Sequence, residues 1–204
     1  MLQGRDLTCV RGDRRLFKGV SFTVEAGGLM QVNGPNGSGK TSLLRMLCGL
    51  SNPAMGEITW NGEAIKSLAG AYHSELTYIG HLSGTKDDLT ALENLRIASA
   101  LSGIQITEKQ ASDALAHMGL EGREALPAKV LSQGQRRRVA LARLLVSKTK
   151  LWILDEPLAA LDVMAVKLIQ GLLDQHLTNG GMVVLTTHQD INITAASTIQ
   201  LQLA

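Results

Sequence analysis

The sequence predicts an α/β fold: a mostly parallel sheet core, an N-terminal antiparallel β region and an inserted α-helical lobe. Three observations predict it. A short apolar strand, Leu29–Asn33, runs into a glycine-rich loop and then a helix. Two more apolar strands, Leu151–Asp155 and Met182–Thr187, flank a helical stretch in the β-α-β order of a parallel sheet. A run from residue 90 to about 147 is helical throughout and carries its own cap signals.

The elements follow in order. Asp6–Val10 and Leu16–Val24 read as opening strands, and Glu57–Trp60 enters an Asn61-Gly62 hairpin turn. Leu76–Ile79 is a further strand. Thr90 with Glu93, and Thr107 with Gln110, are spaced as capping boxes, and Gly119 suits the end of the second of these helices. Ser132 with Gln135 repeats the box. Beyond residue 160, Met164, Leu168, Ile169, Leu172, Leu173 and Leu177 mark one apolar helix face, and Thr198–Leu203 is a last strand. The spacing predicts a single domain over 1–204, with 1–81 and 148–204 as the core and about 82–147 as the helical subdomain.

Composition removes several function classes. The chain has 204 residues with 20 Lys plus Arg against 18 Asp plus Glu, a net charge of +2. That is too near neutral for bulk charge to recruit nucleic acid or anionic lipid. Aromatics make up only 3%, so the core is built from Leu, Ile, Val, Ala and Met. No apolar run approaches the ~20 residues of a membrane-spanning helix, and the charged N-terminus leaves no room for a signal segment. If the protein works at a membrane, another chain is expected to bring it there. Cys9 and Cys48 have no metal-ligand spacing, and the five histidines form no i, i+4 pair.

Residues 34–41 read GPNGSGKT, a phosphate-loop pattern between strand and helix. Gly34, Pro35, Asn36, Gly37, Ser38 and Gly39 form the cradle, with glycines where backbone N–H groups must turn toward an anion. Lys40 is placed to hold β- and γ-phosphates and the Thr41 hydroxyl to ligate Mg²⁺; Ser42 completes the loop. LWILDEP at 151–157 then sets Asp155 and Glu156 at the end of a buried strand. There Asp155 can hold the Mg²⁺ shell and Glu156 can polarise the attacking water. His188, after the strand Met182–Thr187, falls at the same sheet edge and can contact the γ-phosphate. Arg136–Arg138 read as a solvated helix face rather than a nucleic-acid patch.

With LSQGQRRRVALAR from 131, AALD at 159–162 and TTHQ at 186–189, the ordered motifs resemble the ATP-binding cassette (ABC) ATPases, a family of P-loop NTPases. The resemblance spans essentially the whole chain. It implies a head-to-tail dimer with ATP sandwiched between one subunit's phosphate loop and the other's signature. Carried to this sequence, Ser132 and Gly134 contact the γ-phosphate across that interface, Gln135 belongs to the same nucleotide-binding set, and Asp162 lies at the dimer seam. Three positions depart from the family pattern. Gln133 replaces a usual Gly, so its side chain must point away from the nucleotide. Arg11 stands where an aromatic usually stacks on adenine, and a guanidinium can also stack. His81 stands where a Gln usually senses Mg²⁺, and brings a titratable group to that place.

Within the family, YIGHLSG, LTALENL, LWILDEP and TTHQ together with the short chain resemble the ATPase subunits of cytochrome c maturation haem exporters. That implies separate integral-membrane subunits at the cytoplasmic face of a bacterial inner membrane, and indirectly a haem-carrying periplasmic chaperone. His73, His81 and His117 are not read as haem ligands. An ABC transporter for another cargo shares all the chemistry; a soluble non-transport ABC ATPase fits less well, because such chains carry two cassettes or a long coiled coil.

Overall fold

The computed structural model describes residues 1–189 and 191–204, which cluster into two units. The first comprises Met1–Tyr78, Thr149–Glu156 and Leu173–Ala204. Its elements are β1 (Leu2–Arg11), β2 (Arg14–Val24), β3 (Gly28–Asn33), α1 (Lys40–Leu47), β4 (Met55–Trp60), β5 (Glu63–Ala64), α2 (Ile65–Leu68), α3 (Gly70–His73), β6 (Leu76–Ile79), β7 (Leu151–Asp155), β8 (Met182–Thr186) and β9 (Ser197–Gln202). The second comprises Ile79–Lys148 and Pro157–Leu172. It holds α4 (Ala91–Leu101), α5 (Glu108–His117), α6 (Gln133–Leu141) and α7 (Arg143–Val146), with the first turns of α8 (Val163–Thr178).

In the first unit the N-terminal strands form an antiparallel sheet, β2-β1-β4-β5. Asn61 (φ 51°) and Gly62 (φ 88°) both take positive φ at the β4–β5 turn, as a two-residue hairpin turn requires. The second sheet runs β6-β7-β8-β3-β9. Its β7–β8, β8–β3 and β3–β9 pairs are parallel. Register matters for function: Asp155 lies opposite Thr186 on β8, and Thr186 lies opposite Val32 on β3. The C-terminal ends of β3, β7 and β8 therefore finish in one row. Every residue of β7 and β8 is buried, which explains why both read as continuous apolar runs.

The core of this unit joins Leu2, Met30, Val32, Leu43, Leu44, Leu47, Trp60, Ile153, Val184 and Leu203 among others. Helix α1 turns four apolar residues inward, each contributing about 1.5–3 kcal/mol of burial. Tyr72 is 1% exposed and donates its hydroxyl to Leu47 O at 2.6 Å, so its one polar atom is satisfied inside that core.

In the second unit, α4, α5 and α6 each begin with a complete capping box, at Thr90/Glu93, Thr107/Gln110 and Ser132/Gln135. Gly119 (φ 69°) follows α5, and the Gly119 and Leu120 N–H groups donate to Ala116 O and Leu115 O, a Schellman closure. The interior is aliphatic: Leu95, Leu115, Met118, Leu120, Leu131, Leu141 and Leu144. Buried Asn94 holds the preceding loop, its amide donating to the carbonyls of Lys86, Leu89 and Thr90.

Two expectations need correction. Met164 is 75% exposed, so the buried face of α8 is Ala165, Ile169, Leu172, Leu173 and Leu177. Met164 belongs to the helix's first turn, where an apolar residue has no obligation to the core. Arg136–Arg138 are not a solvated face: Arg137 is only 5% exposed. All three spend guanidinium donors on backbone carbonyls.

His176 stacks on Trp152, with ring centroids 3.7 Å apart and 5° between planes. Burial pushes its proton affinity down from the ordinary value of 6.5, and hydrogen bonds to the Met182 and Lys150 backbone oppose this only in part. The unfolded chain therefore binds the extra proton first. The stabilisation from this group is complete above pH 6.5 and declines as the pH falls below it, through the lowered folded-state value. Urea midpoints measured across pH 7.5 to 5 should fall, and His176→Phe should flatten that slope.

Candidate nucleotide site

The loop after β3 is shaped by glycine. At Gly34 (φ 145°) a Cβ would sit 2.5 Å from Leu203 O and 2.7 Å from Ser38 Oγ, so no side chain fits. Pro35, Asn36 and Gly37 are exposed on the loop, while Ser38 and Gly39 are buried behind it. Gly39 (φ 102°) is the N-cap of α1 and supplies no side-chain cap. The first turn of α1 is thus left for an outside acceptor, unlike the boxed starts of α4, α5 and α6. Lys40 Nζ donates to Gly34 O at 2.7 Å and Pro35 O at 3.3 Å, bending back over the loop. The Ser42 side chain turns instead to the Cys9 thiol.

At the end of β7 the buried Asp155 carboxylate, 2% exposed, accepts two hydroxyls. Thr41 Oγ1 donates to Oδ2 at 2.8 Å and Thr186 Oγ1 to Oδ1 at 2.7 Å. Glu156 has φ 51°, a left-handed backbone that costs a non-glycine residue about 1–2 kcal/mol. Its N–H donates to Thr186 Oγ1 at 2.9 Å. Its Oε1 lies 3.4 Å from His188 Nε2; the Glu156 side chain is 17% exposed and that of His188 61%. The Glu156 carboxylate thus sits beneath a solvent-facing imidazole.

The chemistry of the donors fits Mg²⁺. One hydroxyl and one carboxylate oxygen are hard ligands that leave the remaining positions to phosphate and water, the usual way this ion is held. Among the described residues no group of three or more His, Cys, Asp or Glu side chains could hold a metal ion.

The signature lies in the second unit. Ser132 Oγ accepts from Gln135 N–H at 3.2 Å, and Gln135 Oε1 accepts from Ser132 N–H at 2.9 Å. Gln133 is exposed. A Cβ at Gly134 would meet Ala160 O at 2.6 Å, so glycine is required there for packing alone. Asp162 Oδ1 accepts from Ala165 N–H at 2.8 Å, which makes Asp162 the N-cap of α8. His81 is exposed, and its carbonyl takes a 3.3 Å bond from Arg137 Nη1. Arg11 is exposed at the end of β1, opposite Arg14.

Sequence reasoning missed two residues. Arg137 donates to Gly80 O at 2.7 Å and to Pro157 O at 3.4 Å, tying the signature helix to both segments. Thr186 bridges Asp155 and Glu156. A hydroxyl at the end of an otherwise apolar buried strand was the available signal for the second; nothing local marks the first.

A glycine loop opening an uncapped helix, set beside an acid pair at a parallel strand end, defines a P-loop nucleoside-triphosphate cassette. The ABC transporter family model matches residues 17–159, and the chain belongs to that family. It is 69% identical to the cytochrome c biogenesis ATP-binding export protein CcmA of Nitrosospira multiformis, over 99% of this chain and 98% of that protein. The protein of the same name from Nitrosomonas europaea is 62% identical over 100% of this chain and 96% of its own. Among solved structures, an ABC transporter ATP-binding protein from Pyrococcus furiosus superposes with TM-score 0.84 at 26% identity, covering 99% of this chain and 96% of that one. A dimeric ATP-binding cassette in a post-hydrolysis state bound to ADP and Pi gives TM-score 0.80 at 26% identity, over 93% and 88% of the two chains.

Arg137→Ala leaves buried carbonyls without their donor and should cost about 2–3 kcal/mol of stability. Urea unfolding checks it. Arg137→Lys should recover only part of the loss, since one ammonium cannot replace the planar fork.

Proposed function

We propose that the chain is the ATP-binding and ATP-hydrolysing subunit of a bacterial ABC exporter of cytochrome c biogenesis. The observation that carries the hydrolase reading is the meeting of Thr41 at the start of α1 with Asp155, Glu156 and His188 at the ends of β7 and β8, each within 3.4 Å of a neighbour. Residues 1–204 act as a single cassette. The loop from Gly34 to Ser42 cradles the phosphates, and Lys40 swings its ammonium from the loop carbonyls to the β- and γ-phosphate oxygens. Thr41 and Asp155 hold Mg²⁺, which when bound neutralises charge on the β- and γ-phosphates. Glu156 orients and deprotonates the attacking water as general base. His188, beside it, contacts the γ-phosphate. Arg11 stacks on the base.

Two copies of the chain pair head to tail. Ser132, Gly134 and Gln135 of one complete the phosphate site of the other, and Asp162 lies at the seam. Neither half-site alone surrounds the transferring phosphoryl group with positive dipoles, so ATP closes the dimer and hydrolysis releases it. Among the described residues no helix is long and apolar enough to cross a membrane. In this reading integral-membrane subunits anchor the pair at the cytoplasmic face of the inner membrane. The names of these relatives support export in cytochrome c biogenesis, and in this reading release of a haem-loaded periplasmic chaperone is the work done.

Glu156→Gln should keep ATP bound while slowing turnover about 10²–10⁴-fold, the range for loss of a general base. Lys40→Ala should lose ATP affinity instead; equilibrium binding beside steady-state hydrolysis separates the two. A mild-detergent pull-down from native membranes with ATP should recover membrane subunits and a haem protein, with more retained by Glu156→Gln. Membrane subunits without haem would point to a different cargo, and ribosomes would end the transport reading.

A further inference from the structure

We propose that Thr186 is a positioning residue for hydrolysis: its hydroxyl fixes the backbone of Glu156 and thereby aims the Glu156 carboxylate. The inference rests on the reading of Glu156 as general base.

Thr186 is fully buried at the last position of β8, directly opposite Asp155. A threonine hydroxyl has one proton to give. Here it goes to Asp155 Oδ1 at 2.7 Å, and a carboxylate with no proton of its own can only accept. The donor direction is therefore fixed, and the oxygen lone pairs are turned toward the Glu156 N–H, which donates to them at 2.9 Å. Asp155 and Glu156 are consecutive, so one hydroxyl ties the Asp155 side chain to the backbone N–H of Glu156.

The clamp falls where the chain is least able to hold itself. Glu156 occupies the left-handed region at φ 51°, which a residue with a long side chain rarely enters unless the surroundings over-determine it. Relaxation of that φ swings the Cα–Cβ bond and carries the carboxylate away from His188 and from the row of strand ends. Burial of the hydroxyl keeps water from substituting for it. A valine in its place has the same shape, fills the same space and can neither orient Asp155 nor accept from Glu156.

The test uses the full chain in its membrane complex, with steady-state hydrolysis and equilibrium ATP binding as readouts. Thr186→Val should lower kcat about 10- to 100-fold, the scale of a misplaced catalytic group, with KM for ATP unchanged. Thr186→Ser, which keeps the hydroxyl, should restore most of the rate. Because Thr186 acts through Glu156, adding Thr186→Val to Glu156→Gln should lower kcat no further. Parental kcat in a folded, ATP-binding Thr186→Val chain would overturn the proposal, as would a full multiplicative loss in the double variant. If Thr186→Val does not fold, Thr186→Cys carries the test: its thiol accepts weakly, and it should show the same kcat loss, with parental kcat again overturning the proposal. Full turnover in Glu156→Gln would remove the underlying reading instead, whereas a slow Glu156→Gln beside a fast Thr186→Val defeats this inference alone.

Discussion

A single buried carboxylate holds the nucleotide end of the sheet together. Asp155 is almost inaccessible, and an unpaired charge there would be costly. It is satisfied by two hydroxyls that arrive from different parts of the chain, Thr41 on α1 and Thr186 on β8. Both can reach it only because β7 and β8 pair in parallel and in register, with β3 on the other flank of β8. The parallel sheet thus does more than bury apolar residues. It delivers three strand ends to one edge, where the loop after β3, the acid pair after β7 and the imidazole after β8 meet. That edge is where ligands bind in open α/β sheets generally.

Helix starts divide the molecule's polar chemistry in a second way. The starts of α4, α5 and α6 satisfy their own N–H groups through Thr or Ser with Glu or Gln three residues on. The start of α1 follows a glycine that contributes nothing. An uncapped start costs stability and is tolerated where a ligand completes it. The phosphate loop is therefore readable as an unmet requirement as well as a motif. Lys40, bent onto the carbonyls of Gly34 and Pro35, keeps its charge satisfied until an anion competes for it.

Much of this was legible locally. Capping boxes, the Asn61-Gly62 turn, the Gly119 closure and the apolar runs of β7 and β8 are decided within a few residues, and the structure has each of them. The resemblance to ABC ATPases likewise rested on short ordered motifs and agrees with the family assignment. What the sequence hid depends on distant partners. Three consecutive arginines look solvated by composition, yet Arg137 is buried because the carbonyls of Gly80 and Pro157 lie within its reach. Met164 fits an apolar stripe, yet the helix's first turn leaves it in solvent. Thr186 reads as a late strand residue, and only the register opposite Asp155 reveals its bridge.

The signature carries the opposite economy from the phosphate loop. Ser132 and Gln135 exchange bonds with each other, Gly134 exists so that Ala160 O can approach, and Asp162 caps α8. Each of these residues is already committed to its own fold. In the proposed reading the Ser132 hydroxyl proton, the Gln135 amide NH2 and the dipole of α6 are what the signature offers an anion, a weak site by itself. A surface of that kind adds useful stabilisation only against phosphate oxygens that another loop already holds in place. In the proposed reading the phosphate loop holds its ligand from one side, and the signature, already ordered by its own bonds, serves the other. In the head-to-tail pair proposed above, two copies would satisfy both conditions, and the triphosphate they share would set the affinity between them.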